Sequence, residues 1–190
     1  MFTLRYQTST DWVQAVLSDF DRFLVDHAAA EKKASGMAMS MLSHYPDRPE
    51  LVSAMADLAM EELAHFRAVL KIMSERSLIL APYTKDVYVN KLRKCMRQGS
   101  ELYMLDRLII GSVIEARGHE RFDLVSQALE EGELKSFYTA IAESEARHHE
   151  LFIELAHHYF DRDTVAQRLS EILDIEAQVC SALPIKAALH

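Results

Sequence analysis

Two short stretches set a carboxylate and an imidazole three residues apart. MEELAHF (60–66) holds Glu62 and His65, and SEARHHEL (144–151) holds Glu145 and His148. Residues three apart share a helical face, so each stretch offers an oxygen and a nitrogen donor side by side. Oxygen and imidazole donors without thiolate suit iron or manganese. A third Glu-x-x-His, Glu154 with His157, begins nine residues after Glu145. That is about 900° around a helix and about 13 Å further along it. This pair is therefore expected at the surface.

The elements that must hold these pairs can be read from periodicity. Apolar residues recur at helical spacing along the chain, and alternation with period two is absent. A short opening helix is expected near 9–17, followed by four long ones over 19–45, 49–76, 98–129 and 133–159. Pro46 ends the first, Pro49 suits the first turn of the second, and Gly132 marks the end of the third. A last helix over 162–182 starts at Asp161 or Asp163 as cap and stops before Pro184. The connection 77–97 is expected to contain a short helix at 86–96. Two hairpins joined by one long crossover make an all-α four-helix bundle with additional short helices. The expectation is one domain over 1–190, with its core bundle at about 19–159.

Composition agrees. Gly and Pro number only five and four among 190 residues, which favours helix. No apolar run reaches the length of a membrane span, and MFTLRYQTSTDW has no cleavable signal pattern. Cys95 and Cys180 have no zinc or redox spacing. These features point to a reduced, cytoplasmic protein.

Steps of three and four pick out the inward seam of each long helix. The first hairpin gives Phe20, Leu24, His27, Glu31, Ala34, Ala38, Met41 and then Leu51, Met55, Leu58, Glu62, His65, Val69. The second gives Leu105, Leu108, Ser112, Glu115, His119, Phe122 and then Leu134, Tyr138, Ile141, Glu145, His148, Phe152. A Glu interrupts every seam at mid-length. Glu31 and Glu62 are 31 positions apart, and Glu115 and Glu145 are 30 apart. Each hairpin therefore brings its second Glu back to nearly the height of its first. Four interior carboxylates would each cost several kcal/mol unless cations offset them. Two units of Glu…Glu-x-x-His supply six donors, Glu31, Glu62, His65, Glu115, Glu145 and His148, for one or two cations. Ala34 and Ser112 would leave room beside them. A Glu from each of two helices with Glu-x-x-His from two others is the ferritin-like di-iron or di-manganese pattern.

The segments MEELAHFRAVLKIMSERSL (60–78) and LIIGSVIEARGHERFDLVS (108–126) carry a narrower resemblance. They are similar to the tRNA 2-methylthio-N6-isopentenyladenosine hydroxylase family, MiaE, within the ferritin-like di-iron proteins. The resemblance implies that the six donors hold two iron ions. It implies O2-dependent hydroxylation of the isopentenyl group of the modified adenosine at tRNA position 37. The chain has no flavin, nicotinamide or rubredoxin-like motif, so electrons would come from an external reductase or electron-transfer protein. A monomer or small oligomer is expected.

Other residues each admit two roles. His27 and His119 share seams with Glu31 and Glu115, as extra ligands or as hydrogen-bond partners of ligands. His149 follows a ligand directly and is expected to be exposed. Arg117 and Arg121 would pair with acids or meet substrate phosphate. The most basic stretch, 83–98, carries Lys85, Lys91, Arg93, Lys94 and Arg97, with Tyr83 and Tyr88 interleaved. It could meet tRNA phosphates and stack on bases, or it could be a solvated connector. The competing functions are iron storage or detoxification, manganese catalase, and a non-enzymatic helical interaction module.

Overall fold

The computed structural model describes residues 2–82 and 84–190, and among them all regular structure is helical. Seven helices occur in order: α1 (Thr10–Ser18), α2 (Phe20–His44), α3 (Pro49–Glu75), α4 (Val87–Arg93), α5 (Ser100–Ala128), α6 (Glu133–Tyr159) and α7 (Arg162–Ser181). The expected elements are all present, with ends moved by a residue or two, except that the short connector helix is trimmed to seven residues. No helix is long and apolar enough to cross a membrane among the described residues.

Local chemistry sets the boundaries. The Asp19, Asp86 and Asp161 side chains accept from the backbone N–H three residues on, at 3.3, 3.0 and 2.8 Å. Each satisfies one of the orphan donors of a helix start. Pro49 occupies the first turn of α3. Gly99, at φ +99°, makes the left-handed bend before α5 that a residue with a Cβ would resist.

The chain divides into two compact units. One comprises Gln14–Thr84 with Lys186–Leu189. Its body is the α2–α3 hairpin, with Leu24, Ala38, Met41, Leu51, Met55 and Val69 buried, as the seam requires. Ser35 Oγ donates to Ala59 O across the hairpin at 2.8 Å.

The other unit comprises the chain up to Val13, Lys85–Ile185 and His190. Here α5 packs on α6 along one side and on α4 and α7 along others. It consequently buries polar residues away from the seam, including Asp106, Arg107, Arg117 and Arg121. Residues 2–8 form a strap without helix. Arg5 donates to Ser170 O at 2.9 Å, and Tyr6 O accepts from Arg117 Nη2 at 2.9 Å. Thr8 bonds Glu120 through both N (2.9 Å) and Oγ1 (2.7 Å).

Candidate metal centre

In the first unit α2 supplies His27 and Glu31, and α3 supplies Glu62 and His65. Glu31 and Glu62 are 3% and 1% exposed, and His65 is half-buried. One donor atom from each of Glu31, Glu62 and His65 lies within 4.8 Å of the others. His65 Nδ1 is 3.5 Å from Glu31 Oε2 and 3.8 Å from Glu62 Oε2. His27 Nε2 sits 2.5 Å from Glu31 Oε1, the geometry of a hydrogen-bond partner that orients the carboxylate.

In the second unit α5 supplies Glu115, and α6 supplies Glu145 and His148. All three are buried, with a donor atom of each within 4.8 Å of the others. His148 Nδ1 faces Glu145 Oε2 at 3.9 Å. Both Glu-x-x-His pairs thus present the same imidazole edge to the same carboxylate oxygen at nearly equal distances. Gly118 faces Glu145, where an added Cβ would stand 3.5 Å from Oε2. His119 Nδ1 is 2.8 Å from Ala142 O, so a backbone carbonyl of α6 fixes that ring.

Each triad fits a divalent cation of the iron or manganese kind. It offers oxygen and imidazole donors and no thiolate. Glu31 Oε2 is buried and makes no hydrogen bond, with His65 Nδ1 3.5 Å away. Burial disfavours a charged His65, yet its contacts with Glu31 and Glu62 outweigh burial and raise its pKa from 6.5 to about 10. Burial likewise opposes a charged Glu31, yet His27, His65 and Glu62 hold its carboxyl far below the ordinary range.

Several expectations are corrected. His149 is buried, not exposed. Its ring meets Phe2 edge-on at 5.1 Å, and its carbonyl accepts from Ser112 Oγ at 2.8 Å. The reason is that α6 buries a stripe wide enough to include both His148 and its neighbour. Ser112 is accordingly occupied with α6 backbone. Tyr88 is 1% exposed, donates to Glu176 Oε1 at 3.1 Å and stacks on His190 at 4.6 Å. It is core, unable to stack on a base, while Tyr83 lies outside the described residues. Arg117 and Arg121 are buried, which removes the phosphate alternative. Arg117 pairs with Glu176 and Glu120, and Arg121 lies over the Trp12 ring at 5.0 Å. Of the third Glu-x-x-His, Glu154 is exposed and His157 half-buried.

In the basic stretch Lys85, Arg93 and Lys94 are exposed and Lys91 half-buried. Arg97 is different: its guanidinium bonds Asp106 at 2.7–3.2 Å. Asp106 and its second partner Arg168 were not singled out by the seam. An acid inside the apolar run YMLDRLIIG was the signal available.

Comparison with known proteins bears on this site. A family model described as tRNA-(MS[2]IO[6]A)-hydroxylase (MiaE) matches residues 1–190. A Pseudomonas putida protein named tRNA 2-(methylsulfanyl)-N(6)-isopentenyladenosine(37) hydroxylase is 37% identical over 183 residues, covering 96% of this chain and 89% of that protein. A Salmonella typhimurium protein of the same name is 32% identical over 154 residues, 81% of this chain. The chain spans 56% of the Salmonella protein's length. Among solved structures, Protein 43 with aldehyde deformylating oxygenase activity from Synechococcus matches with a TM-score of 0.94 and 31% identity, covering 100% of this chain and 96% of that one. The fold is ferritin-like.

Proposed function

Since the chain belongs to the MiaE family, we propose that it is an O2-dependent di-iron monooxygenase. Its substrate is the isopentenyl group of 2-methylthio-N6-isopentenyladenosine at tRNA position 37. The observation that carries this reading is the family match over the whole chain, on a chain with two Glu, Glu, His triads of matched geometry whose carboxylates are all buried.

In this reading Glu31, Glu62, His65, Glu115, Glu145 and His148 belong to one centre holding two irons, within a single ferritin-like domain. Bound iron supplies the redox chemistry by which one oxygen atom of O2 enters a C–H bond. The other oxygen atom leaves as water, which takes two electrons and two protons from an external donor. The chain's own contributions are to hold the irons, to orient Glu31 through His27, and to keep bulk water from the carboxylates. The tRNA backbone meets the basic connector through Lys85, Lys91, Arg93 and Lys94, whereas the Arg97 guanidinium is engaged by Asp106. A tRNA substrate places the reaction in the cytoplasm. A monomer or small oligomer suffices for it.

The test is nucleoside mass spectrometry of tRNA from cells with and without the protein. Loss of the hydroxylated isopentenyl nucleoside with accumulation of its unhydroxylated precursor is expected. An unchanged nucleoside profile would overturn the reading.

A further inference from the structure

The connector helix α4 has a problem of its own. Seven residues are too few to hold a helix without tertiary support, and Lys91 on it and Lys94 just past its end, three residues apart, repel each other. One end is fixed by Asp86 capping Val89 N and by the buried Tyr88. What fixes the other end is a fully buried carboxylate on α5. Asp106 Oδ2 accepts from Arg97 N at 2.7 Å, and its two oxygens accept from the Arg97 guanidinium. The same carboxylate accepts from Arg168 Nε at 2.8 Å and Nη2 at 2.9 Å. Arg168 Nη2 donates in turn to Cys95 O at 2.7 Å. Main-chain groups just past α4 are therefore bound to side chains of α5 and α7.

We propose that Asp106 is a positioning residue for tRNA binding, and that Arg97 acts as its clamp on the connector and not as a phosphate contact. This rests on the reading that α4 meets tRNA. A buried ion cluster is a poor source of stability compared with apolar packing. This one ties down the turn that follows the basic helix. Holding that helix still removes an ordering cost otherwise met on binding. The two arginines outweigh the burial that would raise the Asp106 carboxyl and hold it below its ordinary value, so the clamp stays charged at neutral pH.

The experiment measures binding of tRNA from cells lacking the protein across a salt series, with turnover alongside. Arg97→Ala and Asp106→Asn should each weaken binding about tenfold, and the double variant should be no weaker than the worse single one. The slope of log affinity against log salt should stay at the wild-type value, because no phosphate contact is lost. KM for tRNA should rise with kcat unchanged, and Arg97→Lys should recover part of the loss. A salt slope lowered by about one in Arg97→Ala, with additive losses, would make Arg97 a direct phosphate contact and overturn the clamp. If Asp106→Asn fails to fold, the slope and KM of the half-exposed Arg97 variant decide alone. Lys91→Glu with Lys94→Glu separates the premise from the proposal. Unweakened binding there overturns the tRNA reading of α4 and the clamp with it. Weakened binding there beside wild-type affinity in Arg97→Ala and Asp106→Asn overturns the clamp only.

Discussion

At the residue scale the problem is charge. Glu31, Glu62, Glu115 and Glu145 are each at most 6% exposed, and desolvating a carboxylate costs several kcal/mol unless it is compensated. Glu62→Gln or Glu145→Gln keeps the shape and removes one negative charge. Either should lose iron by metal analysis and lose turnover together, while the thermal midpoint of metal-free protein holds or rises. A variant retaining stoichiometric iron would show that its residue is not a ligand. These acids were legible because Glu and His interrupt an apolar seam, and only a compensated site makes such interruptions tolerable. His149, Tyr88 and Asp106 were not legible, because neighbours on other helices decide their burial. One helical face cannot report what packs against the next.

At the element scale α5 explains most of the differences from expectation. Its seam was read correctly, but α4, α6 and α7 enclose it on several sides, so charged residues off the seam are buried and paired. Two of its glycines, a double turn apart, face α6 with different tolerances. A Cβ on Gly111 would stand 3.0 Å from the Phe152 ring, which is fully buried and cannot swing aside. Overpacking of that kind costs about 1–3 kcal/mol and exceeds the gain of about 1 kcal/mol from replacing a helical Gly by Ala. At Gly118 the same Cβ makes ordinary contact with Glu145. Thermal melts should therefore show Gly111→Ala lowered by a few degrees and Gly118→Ala unchanged or raised. Equal melting of the two would remove the close approach at Phe152 as the reason for Gly111.

At the scale of the whole molecule, helix order and connectivity were legible because hydrophobic period, proline stops and aspartate caps all agree. The ferritin-like class followed from the spacing of Glu31, Glu62, Glu115 and Glu145. What spacing could not supply was the seating of parts that lack periodicity. Residues 2–8 are the clearest case. An unhelical stretch near a terminus is where proteases usually begin, yet this one is bonded to α5 and α7 through Arg5, Tyr6 and Thr8. Trypsin should cut first after the exposed Lys85 and spare the Arg5–Tyr6 bond, as mass spectrometry of early fragments would show. Early release of the first five residues would mean the strap is not seated. Shortening an expression clone to start at Ser9 would not trim a dispensable tail. It would strip the Tyr6 and Thr8 oxygen acceptors from a guanidinium sealed inside the protein.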